Sequence, residues 1–359
     1  MKFRLTVPIE INKKVNGCNV RPSIHEPQPV LPPDFSWETL DVFKDLPEIS
    51  SFLLNNYICN ENNGIKLVYT PECILWALAP PGYIKEWHVA IKNNGKICAM
   101  ITGIPLELVV FSEKVLFAGI NFLCVSKKLR SNKFTPLLVR ELSRRLSLHN
   151  CQQAMATTNF KIPNSLSEIN YYHRYINYKK LVDLHFTDPP KVSLNRMLKF
   201  YSIPSVHLNY RSIKLTDIPL ITKLLNDFLS KTTDIRIHFT EELAAHTFLS
   251  KGCSTYIKDT NDCFFSYYSL SSIMNDTEIK TAYLYYCVHQ NNFESIMNDA
   301  VVCASENGFD LVNCINICGK NEMVLKKLKF VLGNGLSYYY LYNWKSNKIT
   351  SERNGIYLI

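Results

Sequence analysis

The sequence has no pair of cysteines at a spacing that binds metal or supports redox chemistry. It contains 12 cysteines but no CxxC pair, and the closest two, Cys314 and Cys318, are not accompanied by a histidine cluster. Cysteines scattered through strand-like and helix-like runs are typical of reduced, buried residues in an intracellular protein. We therefore expect free thiols and no zinc site.

Long apolar runs are also missing. The first residues, MKFRLTVPIEINKK, contain no apolar region of signal-peptide length, and nothing approaches the roughly 20 apolar residues of a membrane-spanning helix. Apolar residues nevertheless make up 47% of the 359 positions and charged residues 20%, which is enough for a large buried core. We expect a soluble cytoplasmic protein, built from two or three domain-sized units or from one intertwined unit.

A large excess of one charge sign is absent as well. The chain has 40 Lys and Arg against 31 Asp and Glu, so its formal net charge is +9. That balance fits an anionic ligand, a membrane surface or nucleic acid and does not discriminate among them. The most basic loop has no interleaved aromatic residues, and the other cations do not cluster with it. We therefore expect no nucleic-acid partner.

Hydrophobic periodicity and turn residues predict two successive α+β halves. The first half contains a hairpin over 88–111 around the turn NNGK, a strand over 115–125 and a helix over 136–148. The second half repeats this order, which suggests duplication although no residue-level repeat is visible. Its predicted elements are helices over 216–229 and 294–309 and paired strands over 263–274 and 280–290.

The segment GINFLCVSKKLRSNKFTPLLVRELSRR changes character twice. An apolar run over 120–125 predicts a buried strand, a loop with four cations follows, and Thr135 and Pro136 predict the N-cap and first turn of a helix. Free backbone N–H groups, the helix dipole and the cations together favour a diphosphate site beside an apolar strand, as an acyl-CoA requires. A solvated basic loop before a surface helix fits the same pattern.

Several motifs along the chain resemble one enzyme family. INFLCVSKKLRS resembles the signature of the N-myristoyltransferases, or glycylpeptide N-tetradecanoyltransferases. LPPDFSWETLD, PECILWALAPPGY, YYHRYINYKKL, LKFVLGNG and YYLYNW are similar to further motifs of that family, in its order and at its spacing. The resemblance runs from about residue 26 to the end. It implies an α+β fold of two fused acetyltransferase-like (GNAT-like) halves with pseudo-twofold symmetry.

The resemblance also implies a division of labour between the halves. Residues 1–205 would bind myristoyl-CoA, and residues 206–359 would shape the peptide groove and supply the catalytic base, with the junction within 200–213. Myristate would pass directly to the amine of an N-terminal glycine, without metal, covalent acyl-enzyme or permanently bound cofactor. Myristoyl-CoA would be a co-substrate, and the partners would be client proteins with N-terminal glycine.

Candidate catalytic residues follow from the matched motifs. The base would be the C-terminal carboxylate of Ile359, since the attacking amine must lose a proton. Backbone N–H groups of Phe122 and Leu123 would stabilise the oxyanion that develops on the thioester carbonyl. Asn121 and Thr157 match the residues that orient the amine in this family.

Binding residues are carried over in the same way. The resemblance places these residues around CoA: Phe3, Arg4, Phe122, Leu123, Cys124, Val125, Arg130, Ser131, Lys133, Phe134 and Thr135. It places these residues in the peptide groove: Tyr57, Tyr69, Tyr171, His173, Ser272 (or Ser271) and Tyr283.

Some positions depart from the family pattern. Asn60, Asn62 and Asn334 stand where the family has acidic residues that favour a basic residue downstream of the substrate glycine. Their loss predicts a weaker preference for lysine there, because a partly screened ion pair is removed. Four other departures have no sequence-based interpretation: Arg4, Gly119, Asn132 and Val331.

Two other functions remain open at this point. A catalytically impaired protein on the same fold would bind acyl-CoA or acyl-peptides without turnover, although such a protein has no use for a base. A CoA-dependent N-acyltransferase that uses another chain length or acts on lysine is the second alternative. The family is mostly monomeric, so we expect a monomer, and transient association with a membrane or ribosome is left open.

Overall fold

The computed structural model describes residues 17–18, 27–57, 59–60, 64–204, 206, 208–290 and 292–358. Within these ranges the helices are α1 (Leu46–Asn56), α2 (Pro71–Leu78), α3 (Phe134–Leu148), α4 (Tyr178–Asp183), α5 (Leu194–Tyr201), α6 (Ile218–Thr232), α7 (Glu241–Phe248), α8 (Phe293–Glu306) and α9 (Glu322–Lys327). None of these helices is long and apolar enough to cross a membrane. The cytoplasmic location stays a prediction.

The strands belong to one large mixed sheet and two small ones. They are β1 (Gly17–Cys18), β2 (Phe35–Thr39), β3 (Cys59–Asn60), β4 (Ile65–Val68), β5 (His88–Asn93), β6 (Lys96–Val110), β7 (Glu113–Val125), β8 (Ala154–Thr158), β9 (Ser167–Tyr175), β10 (Tyr210–Ser212), β11 (Ile235–Ile237), β12 (Cys253–Lys258), β13 (Phe264–Ser269), β14 (Ser271–Met274), β15 (Thr277–Ile279), β16 (Thr281–Val288), β17 (Leu311–Ile315), β18 (Val331–Tyr342), β19 (Trp344–Lys345) and β20 (Asn354–Gly355).

Local sequence signals explain many of these elements. The side-chain oxygen of Thr70 accepts a hydrogen bond from the backbone N–H of Cys73 at 3.2 Å, so α2 has the predicted Thr-Pro start. Asn94 and Gly95 have φ of 48° and 74°, as a two-residue turn between twisted strands requires. The hairpin predicted over 88–111 therefore forms, as β5 and β6.

The large sheet interleaves strands from both halves of the chain. Its order is β10-β12-β13-β16-β17-β9-β18-β8-β7-β6-β11-β20, with β5 beside β6 and β2 beside β5. Strand β18, from late in the sequence, lies between β8 and β9 and is antiparallel to both. The halves are thus intertwined through one sheet, and the proposed division at residues 205 and 206 stays a prediction.

Two sequence-based predictions of element bounds are wrong. The single strand expected over 263–274 is split at Leu270: β13 pairs with β16, whereas β14 pairs with β4 and β15 in a separate sheet. Composition is strand-like throughout, so only the tertiary partners make the break. Helix α3 begins at Phe134, after an N-cap at Lys133, and not after an N-cap at Thr135. The Phe134 ring packs into the core, with its centroid 4.8 Å from that of Phe35.

A buried ion-pair cluster fixes α3 against the sheet. The Glu141 side chain is fully buried and accepts hydrogen bonds from Arg144 and Arg145 at 2.7–3.0 Å and from Gln28 at 3.1 Å. Arg145 in turn donates to the carbonyl of Glu86 at 3.0 Å. Burial alone would raise the pKa of Glu141, but the hydrogen bonds outweigh burial and hold that pKa below its ordinary value.

Replacing Glu141 tests this cluster. We expect Glu141→Gln to lower the free energy of unfolding by about 1.5–3 kcal/mol at pH 7, measured by urea denaturation, because the buried Arg145 and the partly buried Arg144 lose their charge partner. A carboxyl with a lowered pKa stabilises the fold above its unfolded-state pKa of about 4.3. The difference between the two proteins should therefore shrink as the pH falls below that value.

The exposed pair of Glu107 and Lys114, 2.6 Å apart, provides the control. Glu107→Gln should change the free energy of unfolding by less than about 1 kcal/mol. Equal effects of the two substitutions would contradict a special role for the buried cluster.

Candidate active site

A cleft opens in the large sheet between β7 and β8. These parallel strands pair only at Ala118 with Ala154 and at Gly119 with Met155. Both strands continue beyond these pairs, and β7 keeps its pairing with β6 on the other side up to Val125. Residues 122–125 of β7 therefore have an edge that has no register partner on β8. This edge carries the residues that the sequence predicted as oxyanion donors and acyl-CoA contacts.

A β-bulge lies on β7 at the cleft. Met100 pairs with Cys124 and Thr102 with Asn121, so Phe122 and Leu123 together face a single residue of β6. Phe122 has φ of 48°, a left-handed conformation that is costly for a residue with a side chain. The bulge interrupts the regular ladder there, so Phe122 and Leu123 have no register partner on β6.

Aromatic rings hold this bulge in place. Phe122 is 1% exposed and contacts Tyr69 and Tyr57 with ring centroids 5.1 and 5.5 Å away. Burial raises the pKa of Tyr57 to about 12, so its hydroxyl is neutral and can donate a hydrogen bond. Two of the predicted peptide-binding tyrosines thus pack directly on the predicted oxyanion strand. Leu123, by contrast, is 37% exposed.

The basic segment after β7 forms a short 3₁₀ helix over Lys127–Asn132. Lys133, with φ of 57°, then leads into α3, whose first turn has no side-chain cap among the described residues. The first backbone N–H groups of α3 are therefore available to an anion. Ser131, Lys133 and Thr135 are exposed there.

Two predicted CoA contacts in this segment have structural roles of their own. The Arg130 guanidinium donates to the carbonyl of Asn56 at 3.0 Å, which ties the 3₁₀ helix to the end of α1. The Phe134 side chain is 1% exposed and belongs to the core, so only its backbone can meet a ligand.

Two further predicted CoA contacts lie at the end of β7. Cys124 is 4% exposed, and burial raises the pKa of its thiol to about 12. Val125 is half-buried beside it.

Two cavities meet at residues 354–358, which we call the tail. The tyrosine cavity is lined by Thr157, Tyr171, Tyr268, Tyr283, Leu284, Asn313, Cys314, Ile315, Ser337, Tyr339, Tyr357 and Leu358. The apolar cavity is lined by Trp76, Ala77, Pro80, Ile104, Leu106, Asn121, Ile237, Phe239, Leu243, His246, Thr247, Tyr285, Tyr357 and Leu358. Tyr357 and Leu358 line both, so the tail separates them. Asn121 of β7 faces one and Thr157 of β8 the other.

The tail is buried and hydrogen-bonded. The hydroxyls of Tyr286 and Tyr339 donate to the carbonyls of Gly355 and Ile356 at 3.1 and 2.9 Å. Ile356 is fully buried, and Tyr357 is 6% exposed. The predicted base belongs to Ile359, which lies outside the described residues, but the chain leading to it runs through the interior between the two cavities.

The remaining predicted peptide residues fall into two groups. Tyr171 and Tyr283 line the tyrosine cavity. The His173 ring nitrogen Nδ1 lies 2.5 Å from the Oδ1 of Asn313, which also lines that cavity. Ser272 is 5% exposed on β14 and does not line either cavity, and its neighbour Ser271 does not line them either.

The residues that depart from the family pattern lie in different parts of the structure. A Cβ at Gly119 would come within 2.5 Å of Leu106 Cδ1, so glycine here makes room for a side chain that lines the apolar cavity. Asn132, Val331 and Asn334 are exposed. Phe3, Arg4 and Asn62 lie outside the described residues.

Sequence reasoning missed several residues around the cavities. Asn313, Tyr268, Tyr339 and Trp76 line them but occur in runs that resemble ordinary core strands and a core helix. The only available signal was the unusual density of tyrosine, with 20 in the chain. No cluster of three or more potential metal ligands occurs in the described ranges.

Solved structures share this fold. The chain matches Saccharomyces cerevisiae N-myristoyltransferase with bound myristoyl-CoA at a TM-score of 0.89 and 28% identity, covering 97% of this chain and 94% of that one. A GCN5-related N-acetyltransferase from Anabaena variabilis matches at a TM-score of 0.50 and 9% identity, over 86% of this chain and 72% of that one, which is a likeness of fold alone. The predicted α+β fold of two acetyltransferase-like halves is confirmed.

Sequence comparisons agree with the structural ones. Glycylpeptide N-tetradecanoyltransferase 1 of Arabidopsis thaliana is 36% identical over 334 residues, 88% of this chain and 76% of that protein. Glycylpeptide N-tetradecanoyltransferase of Plasmodium falciparum is 31% identical over 385 residues, 100% of this chain and 93% of that protein. Models of the N-terminal and C-terminal domains of myristoyl-CoA:protein N-myristoyltransferase match residues 10–169 and 183–356. The chain therefore belongs to the N-myristoyltransferase family.

Proposed function

We propose that this protein transfers myristate from myristoyl-CoA to the amine of an N-terminal glycine. The observation that carries the proposal is the convergence of three features: the bulge at Phe122 and Leu123 on β7, the uncapped first turn of α3 and the buried tail between two cavities. The yeast structure contains bound myristoyl-CoA, which supports an acyl-CoA as a ligand of this chain. The names of the curated relatives support glycine as the acceptor.

The diphosphate of CoA would be held at the start of α3. The exposed Ser131, Lys133 and Thr135 and the free N–H groups of the first turn supply donors and positive potential there. The acyl chain would extend along the apolar side chains of β7. This arrangement would bring the thioester carbonyl to the N–H groups of Phe122 and Leu123, which would stabilise the developing oxyanion.

The acceptor amine would enter from the tyrosine cavity. An α-amino group has a pKa of about 8, so it must lose a proton to attack the thioester at neutral pH. The Ile359 carboxylate would take this proton, Asn121 and Thr157 would orient the amine, and the CoA thiolate would leave. A carboxylate withdrawn from water is a stronger base than a free one, because burial disfavours its charge.

The peptide groove should discriminate weakly in favour of lysine. No Asp or Glu lines either cavity in the described ranges, and Asn334 is exposed at the start of β18. Two glycine peptides that differ only by lysine or norleucine downstream should give kcat/KM values within about threefold of each other. A screened ion pair at the surface contributes little binding free energy. A large gain from lysine would contradict this.

Asn334→Asp is the matched test of the same site. The added carboxylate should raise kcat/KM for the lysine peptide by about two- to fivefold at low salt and leave the norleucine peptide unchanged. Asn334→Ala, which adds no charge, is the control. An equal response of both peptides would show that the substitution acts on something other than charge.

The function itself is tested by mixing the protein with myristoyl-CoA and a glycine peptide and following CoA release. The same peptide with an acetylated amine is the control and should give no transfer. Tight binding of myristoyl-CoA without release would favour a non-catalytic binding protein. Faster release from a shorter acyl-CoA, or transfer to a lysine side chain, would favour a different CoA-dependent acyltransferase.

A further inference from the structure

Lys320 is a buried cation next to the tail. It is 1% exposed, and its ammonium donates hydrogen bonds to the Tyr357 hydroxyl and, at 3.3 Å, to the carbonyl of Tyr285. The ammonium also lies 5.0 Å from the centre of the Tyr357 ring. None of the described carboxylates forms an ion pair with it. A buried ammonium without a counter-charge is costly, so this arrangement requires a reason.

Among the residues that the structure describes, no group of opposite charge contacts Lys320. Cys287, Cys314 and Cys318 are all buried near it, and burial raises the pKa of each thiol, so these cysteines are neutral. The strongest interaction of the ammonium is therefore with the phenol and ring of Tyr357.

The loop before Lys320 is hydrogen-bonded to the tail and to the segment just before it. The N–H of Cys318 donates to the carbonyl of Asn354, and the N–H of Gly319 donates to the carbonyl of Glu352, both at 2.9 Å. Cys318 and Gly319 have φ of 55° and 71°, so two consecutive residues adopt a left-handed conformation, which is unfavourable for Cys318 because it has a side chain. This turn directs the Lys320 side chain inward, towards Tyr357.

We propose that Lys320 is a positioning residue that fixes the end of the tail through Tyr357, and thereby holds the wall that Tyr357 and Leu358 form between the tyrosine and apolar cavities. Tyr357 is two residues from the proposed base, so a small shift there moves the carboxylate directly. This inference rests on the proposed function for its catalytic consequence, whereas the contact between Lys320 and Tyr357 does not depend on it.

Three single variants and one double variant test the proposal. Lys320→Met keeps the length of the side chain and removes the charge, and Tyr357→Phe keeps the ring and removes the hydroxyl. Lys329→Met is the matched control: Lys329 also donates to a carbonyl, that of Phe200 at 2.6 Å, and lies 4.9 Å from the Phe200 ring, but on the surface. It does not line either cavity.

The first measurement is hydrogen–deuterium exchange of the peptide that follows residue 345, without any substrate. Lys320→Met and Tyr357→Phe should each increase the exchange rate of the tail amides by about tenfold or more, and peptides from α3 should not change. Lys329→Met should resemble the wild type. Unchanged exchange in both test variants would overturn the proposal. If Lys320→Met does not fold, Tyr357→Phe decides.

The second measurement separates positioning from folding. Both test variants should lower kcat by about 10- to 100-fold, because small misplacements of reacting groups have effects of that size. Their Kd for myristoyl-CoA should stay within about twofold, and the double variant should be no slower than the slower single one. Faster exchange with an unchanged kcat would overturn the catalytic role. If the wild type transfers no myristate, the proposed function fails, and exchange alone decides the contact.

Discussion

Deleting Ile359 is expected to lower kcat by about 100- to 1,000-fold while leaving the Kd for myristoyl-CoA within about twofold. The deletion leaves a carboxylate on Leu358, displaced along the chain by about 3.8 Å, which is too far for proton transfer in the same geometry. General bases commonly contribute 100- to 10,000-fold, so the loss should be close to what a missing base predicts. Rapid-mixing measurement of CoA release in a single turnover isolates this step.

Two matched variants separate the carboxylate from the side chain. Ile359→Ala keeps a carboxylate at the same position and should retain at least about one-tenth of the wild-type kcat. Adding one glycine after Ile359 keeps every side chain but moves the carboxylate, and should be as damaging as the deletion. If the deletion and the extension both keep full rate, the C-terminal carboxylate is not the base.

Replacing the backbone N–H of Leu123 by an ester oxygen should lower kcat by about 100- to 1,000-fold. Leu123 has no register partner on β6 at the bulge, so the substitution should disturb the regular strand pairing little. The loss of one oxyanion donor has an effect of that size in other acyl-transfer enzymes. The variant can be made by incorporating the α-hydroxy analogue of leucine, with kcat and the Kd for myristoyl-CoA measured separately.

Leu123→Ala is the control for this variant. It retains the N–H and removes a side chain that is 37% exposed, so kcat should stay within about fivefold of wild type. If kcat falls strongly in the alanine variant but only slightly in the ester variant, the Leu123 N–H is not the oxyanion donor and the side chain is the important group.

Local signals in the sequence predicted most helices and the central hairpin, because they depend on nearby residues. The Thr70–Pro71 start of α2 and the turn at Asn94 and Gly95 are examples. The break at Leu270 and the place of β18 could not be predicted in this way. Both depend on which distant strand supplies the hydrogen bonds, and strand-like composition carries little information about the partner.

The candidate site was predictable where family motifs mark it and obscure elsewhere. The motif INFLCV indicated the strand. The bulge places Phe122 in a left-handed conformation, which a sequence usually signals by a glycine, and there is no glycine at this position. Lys320 occurs in CGKN, a sequence typical of an exposed turn, and lysine is rarely buried. Its burial depends on contact with Tyr357, which is 37 residues further along the chain. A local sequence pattern therefore could not indicate it.

The position of β18 has a consequence for how the protein is made. Strands β8 and β9 are synthesised before β18, and in the folded protein each of them pairs with β18 and not with the other. A nascent chain therefore has two unsatisfied strand edges, which can pair wrongly with other chains. The tail is synthesised later still. Translation must be nearly complete before either cavity can close, so a ribosome-bound intermediate should have no transferase activity and should depend on chaperones.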